Sequence, residues 1–152
     1  MEVIVHEMSY AHEMIEKTSI HCVSFTKSMF EEYKSIYNAC FYDMRKALEI
    51  EPYDYLHDFE QISEKANNIY VLFQGNELIG SVACYGNEVD DLIVNPRFQR
   101  CGYGRHLLLW GMRKIRETTS GPIVLHVAAW NEKAIALYRS TGFEIVSTKR
   151  VR

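Results

Sequence analysis

The apolar residues change their period along the chain, and each change marks a different kind of element. "VIVHEM", residues 3–8, is a branched apolar run that reads as a first strand, and residues 10–21 read as a short helix. Between Phe30 and Leu48 the side chains Phe30, Tyr33, Tyr37, Phe41, Met44 and Leu48 step by three or four, which lays them on one stripe of a helix that Pro52 closes. Leu56, Phe59, Ile62 and Ala66 predict a second helical face. From Asn68 the pattern is that of strands. "IYVLFQ", "ELIGSVACY" and "EVDDLIV" are rich in branched and aromatic residues and are separated by Gly75-Asn76 and Gly86-Asn87. Those dipeptides supply the positive φ of tight hairpins, so the three runs form an antiparallel meander that Pro96 ends.

Beyond Pro96 the helical period returns. Leu107, Leu108, Gly111, Met112 and Ile115 share one helix face, "PIVLHV" reads as a strand, "NEKAIALYRST" as a helix stopped by Gly142, and "FEIVSTKRV" as a last strand. A strand, helix and strand between residues 88 and 127 imply a crossover onto a parallel neighbour. The expected fold is therefore α/β (α+β), with a mixed sheet and flanking helices, in one domain over residues 1–152.

Length and composition support that expectation, since 152 residues at 47% hydrophobic are enough for one buried core. No apolar run approaches the roughly 18 residues of a membrane span, and the acidic start lacks the basic flank of a secretory signal. A cytoplasmic protein without membrane contact is expected. Cys22, Cys40, Cys84 and Cys101 are spaced too widely for a zinc-type pair, so reduced, mostly buried thiols and no metal are expected. The net charge of −3 hides a division: residues 1–96 hold 6 bases and 17 acids, residues 97–152 hold 11 and 3. An anionic ligand suits the basic part and a cationic one the acidic part.

Candidate chemistry concentrates in "VNPRFQRCGYGRHLLLW", residues 94–110. A strand that ends in a glycine-bearing turn and feeds a helix presents unpaired N–H groups at the positive end of the helix dipole, which is a cradle for an anion. Gly102 and Gly104 permit close approach, and Arg97, Arg100 and Arg105 add charge. A phosphate-bearing ligand is the natural candidate, while a tight turn packing helix on sheet is the competing reading. The P-loop would need Lys-Ser/Thr after Gly104 and the dinucleotide fingerprint a third glycine at Leu107; both fail. Asn131, Ile135 and Tyr138 follow as one face of the next helix, with Asn131 placed to cap it.

Together, "LIVNPRFQRCGYGRHLL" and "WNEKAIALYRSTGFEIV" resemble the two signature regions of the GNAT superfamily of acyl-CoA-dependent N-acetyltransferases, over roughly residues 88–146. Gln99, Arg100, Cys101, Gly102, Tyr103 and Gly104 fit that family's Q/R-x-x-G-x-G/A loop. The resemblance implies a mainly antiparallel sheet with a splayed parallel strand pair, and acetyl-CoA as acyl donor. It implies that the loop from Gln99 to Arg105 holds the pyrophosphate, that the edge formed by Leu92, Ile93 and Val94 pairs with the pantetheine arm, and that Asn131 contacts the same molecule. Tyr138 would be the general acid on the departing thiolate.

The resemblance further implies a primary amine as acceptor, small or on a protein, which must lose a proton to a carboxylate or a water chain. Glu88, at the position of a glutamate in some relatives, is the first candidate and Asp91 the second; His126 is a third. Strict alternation would put Glu88, Asp90, Leu92 and Val94 on one face and Asp91 on the other, and a bulge would reverse that parity. Relatives carry a C-terminal hairpin that walls the acceptor site, whereas here only nine residues follow Phe143. A shortened hairpin, and a homodimer that completes the pocket, are the corresponding expectations. The alternatives are a non-catalytic acyl-CoA sensor and, against the acidic first half, a binder of another phosphate ligand or RNA; no nucleic acid is expected.

Overall fold

The computed structural model describes residues 2–151. Its strands are β1 (Val3–Tyr10), β2 (Val23–Ser24), β3 (Ile69–Gln74), β4 (Glu77–Tyr85), β5 (Glu88–Val94), β6 (Ile123–Ala128) and β7 (Glu144–Val151); its α-helices are α1 (Phe30–Ala47), α2 (Tyr103–Arg116) and α3 (Glu132–Thr141). One seven-stranded sheet runs in the order β2-β3-β4-β5-β6-β1-β7. All neighbours are antiparallel except β5 and β6, which are parallel and paired only at Glu88 and Val124. Beyond that pair the two strands diverge.

The helices cover the sheet as their apolar stripes require. From α1, Phe30, Tyr33 and Ile36 pack on Ile69, Val71, Leu78, Ala83 and Ile93. On the opposite face α2 buries Leu108, Met112 and Ile115 against Val82, Val89 and Leu125, with α3 beside it. Each such fully buried side chain stabilises the fold by about 1.5–3 kcal/mol. Gly80 and Gly111 allow close packing there: an added Cβ would lie 2.5 Å from the Ile93 carbonyl oxygen at Gly80 and 3.0 Å from Val82 at Gly111.

Three expectations need correction. Residues 11–22 form no helix, because α2 side chains take the carbonyls a helix would use: Arg116 donates to the His12 oxygen and Arg113 to that of Ile15. Residues 56–66 contain only a short 3-10 turn before a second at Ala66–Asn68. There Asn38 clamps the backbone of Leu56 from α1, and Gln61 folds back onto the N–H groups of His57 and Asp58. The thiols are also less uniformly buried than expected, since Cys101 is exposed and Cys40 half-buried.

The C-terminal hairpin is absent among the described residues, but β7 still has a strand partner. The N-terminal strand β1 lies between β6 and β7 and pairs with both. The chain's own start thus contributes Val3 and Val5 of β1 to the cavity wall described below.

Candidate active site

The divergence of β5 and β6 opens a cavity of about 660 Å³, walled by β5, β6, α3, the glycine loop, α1 and the first residues of β1. A bulge in β5 determines what enters it. Ser81 faces Ile93 across the ladder while Ala83 faces Asp90, so two steps along β4 correspond to three along β5. Asp91 sits in this bulge with φ of 44°, a conformation that aspartate tolerates better than most residues. Strict alternation therefore fails here, and Asp90 and Asp91 both line the cavity.

Asp91 is half-buried, and its carboxyl is pushed up from 3.8 to about 7, first by burial and then by the Asp90 charge, with Lys65 opposing. Tyr138 enters the same cavity from α3, its ring edge-on to Phe143 at 6.2 Å. Burial, then Asp90 and Asp91, push its phenol up to about 12. Glu88 does not line the cavity. Its carboxylate meets Nδ1 of His126 at 3.2 Å, and Nε2 of His126 meets Glu7 at 3.1 Å, so the histidine bridges β5 and β1.

At the other end, the backbone of the glycine loop turns through two positive φ values, 65° at Arg100 and 87° at Gly102, and α2 begins at Tyr103. An added Cβ at Gly102 would meet nothing within 4 Å, and at Gly104 only Leu137 at 3.6 Å and Val94 at 3.8 Å. Neither glycine is needed for helix–sheet packing. Gly104 instead faces the cavity, leaving space beside the first-turn N–H groups of α2 for an anion. That is the fit a pyrophosphate requires.

Of the residues expected in the site, Asp91, Leu92, Ile93, Val94, Gln99, Arg100, Gly104, Asn131 and Tyr138 line this one cavity. Leu92, Ile93 and Val94 have no ladder partner on the β6 side. The Val94 carbonyl accepts from Gln99 Nε2 and from the Cys40 thiol, both at 3.1 Å. Asn131 caps α3, its Oδ1 accepting from Ala134 N–H at 3.2 Å. Cys101, Gly102, Tyr103 and Arg105 lie outside the lining. Tyr103 reaches Gln74 instead, Arg105 is held by Glu16 and Thr141, and Arg97 is paired with Glu77. Only Arg100 of the three arginines faces the cavity.

Sequence reasoning missed Lys133, Asp43 and Cys40 as lining residues, along with Val3 and Val5 of β1. Lys133 follows a recognised cap by two positions and was within reach of the pattern. Val3 and Val5 arrive through a long-range pairing that no local signal announces.

A glycine-loop cradle and a split parallel strand pair thus meet at one cavity, with Asp91 and Tyr138 both in its wall. The chain belongs to the acetyltransferase (GNAT) family, which matches residues 28–143. It is 32% identical over 90 residues to the N-alpha-acetyltransferase RimI of Mycobacterium tuberculosis, covering 59% of this chain and 54% of that one. It is 42% identical over 55 residues to the mycothiol acetyltransferase of Saccharomonospora viridis, covering 36% of this chain and 18% of that one. The chain thus spans about half or less of these relatives' lengths. The fold is similar to that of the PaiA N-acetyltransferase of Thermoplasma acidophilum solved in complex with coenzyme A, with a TM-score of 0.64 at 17% identity over 87% of this chain and 94% of that one. Among the described residues no helix is long and apolar enough to cross a membrane, and no cluster of side chains is arranged to hold a metal ion.

Proposed function

We propose that the protein is an N-acetyltransferase that moves the acetyl group of acetyl-CoA to a primary amine, acting in the cytoplasm, where four free thiols stay reduced. One observation carries the reading: Asp91 and Tyr138 share a cavity whose far end is the glycine cradle. Acetyl-CoA supplies the thioester carbonyl that the amine attacks. The N–H groups from Gln99 to Arg105 hold its pyrophosphate, and the edge at Leu92, Ile93 and Val94 holds its arm.

Asp91, at about 7, is substantially ionised at neutral pH and can take a proton from the acceptor ammonium. Tyr138, at about 12, keeps its proton and can donate it toward the departing thiolate. Full transfer from that phenol to a thiolate whose thiol titrates near 8.5 is uphill by roughly 5 kcal/mol. The phenol therefore acts first as a hydrogen-bond donor to the developing charge. Proton capture by Asp91 also removes one of the charges that hold the phenol high, so the base step makes the acid a better one.

The acidic half of the chain contributes Asp43, Asp90 and Asp91 to the cavity, which favours a cationic acceptor. The relative named as an N-alpha-acetyltransferase supports a peptide N-terminus as the first acceptor to try. A thiol-release assay with acetyl-CoA and a panel of peptide N-termini and small amines tests the proposal. Amine-dependent release that Tyr138→Phe abolishes is the expected result. Binding of acetyl-CoA without release across the panel would favour the acyl-CoA sensor and refute catalysis.

A further inference from the structure

Near Asp91, outside the lining of the cavity, lies a group of hydroxyls that the proposed chemistry does not use. Ser81, Ala83 and Tyr85 alternate along β4, opposite Ile93, Asp90 and Glu88 in the ladder, and the bulge carries Asp91 between them. Tyr33 descends from α1 onto the same place. Tyr33 and Ser81 are fully buried, and the hydroxyls of Tyr33, Ser81 and Tyr85 all lack a hydrogen-bond partner. The Tyr33 hydroxyl approaches Ser81 without reaching hydrogen-bond geometry.

Three unpaired hydroxyls beside one carboxylate are not a normal feature of a protein interior, where buried polar groups almost always find a partner. A water needs two to four polar partners, and this group supplies them. We infer that Tyr33, Ser81 and Tyr85 hold a buried water against the Asp91 carboxylate, and so act as positioning residues for that carboxylate.

A carboxylate that accepts hydrogen bonds from such a cluster is favoured in its ionised form. The cluster thus opposes the burial and the neighbouring acids that raise the Asp91 carboxyl. The other groups facing Asp91 are Asp90 and Glu88 from its own strand, Lys65 from the segment before β3, Tyr37 from α1 and Tyr138 from α3. Across the cavity stand Asp43, Arg100, His126 and Lys133. The three hydroxyl oxygens of the cluster are sealed from solvent, which gives their removal a distinct signature.

The kinetic consequence rests on Asp91 being the base of the proposed reaction; the water site does not. Tyr33→Phe, Tyr85→Phe and Ser81→Ala are made, and the Asp91 carboxyl is titrated by carbon-13 NMR alongside the pH profile of kcat/KM. The expected result is an upward move of the Asp91 midpoint by about one unit in each variant, with the acid limb of kcat/KM following. Tyr85→Phe and Ser81→Ala keep the test available should Tyr33→Phe not fold. A moved midpoint with an unmoved acid limb would uphold the water site while removing Asp91 as the base. Unmoved midpoints in the folded variants, with a fold made more stable by loss of an unsatisfied hydroxyl, would overturn the inference.

Discussion

Asp91→Asn removes a charge while keeping the shape of the bulge, since asparagine also tolerates the positive φ found there. Below pH 4 the wild-type carboxyl is protonated in both folded and unfolded chains, and the two proteins should be about equally stable. Between pH 4 and pH 7 the folded protein retains a proton that the unfolded chain has released, because the carboxyl is raised from 3.8 to about 7. The stability that this proton contributes is lost as pH rises through 7. Three units correspond to about 4 kcal/mol. One side of the site opens to a solvent-accessible cavity, which reduces the expected difference to about 2–3 kcal/mol.

Asp91→Asn should therefore unfold about 5 to 10 °C higher than wild type at pH 8 and at nearly the same temperature at pH 4. Its turnover should fall by about 10²–10⁴ if the carboxylate is the general base. Thermal unfolding across that pH range, beside thiol release, measures both. A variant no more stable than wild type at pH 8, or a difference that ignores pH, would refute the account of Asp91 as a strained and buried charge.

Other substitutions separate cradle, core and acid. Gly104→Val should fold, because the added Cβ meets only ordinary contacts with Leu137 and Val94, yet it should erase the thermal shift of about 2.7 kcal/mol expected from acetyl-CoA at 100 times its dissociation constant; a retained shift would remove the loop from the donor site. Gly80→Ala should lower stability by about 1–3 kcal/mol in urea unfolding, since its Cβ would sit 2.5 Å from a backbone oxygen. Tyr138→Phe should keep acetyl-CoA binding and lose about 10² or more in kcat; a loss in affinity alone would make the phenol a binding group.

The elements from Asn68 onward were legible because hairpin glycines, alternation and caps all agreed, and the signature loops fall within them. Tertiary contacts decided the segments that were misread. Residues 11–22 have helical composition, but their carbonyls are claimed by Arg113 and Arg116, which lie about a hundred positions away. The stretch after Leu56 is held by Asn38 and Gln61 before a helix can propagate. The two-residue β2 carries too little pattern to register. In the site, the charge division was visible, but part of it is internal pairing: Arg97 meets Glu77 and Arg105 meets Glu16, both acids of the first half. The insertion of β1 between β6 and β7 had no local signal at all, because antiparallel neighbours at opposite ends of a chain are chosen by the whole sheet.

The bulge in β5 links these features into one device. Parallel pairing with β6 occurs at Glu88, before the bulge, and β5 makes no further ladder contact with β6. A bulge bends its strand and increases local twist, which is what moving the edge from Leu92 to Val94 away from β6 requires. The same extra residue turns Asp91 toward α1 beside Asp90, burying two acids together at the point where the strands part. Without it, alternation would send Asp91 into the apolar layer under α2, where Val89 and Leu108 leave no room for a charge. One irregular residue thus accompanies both the parting of the strands and the raised carboxylate at the edge of the slot, so a reversion of the bulge should cost the site its opening and its raised carboxylate together.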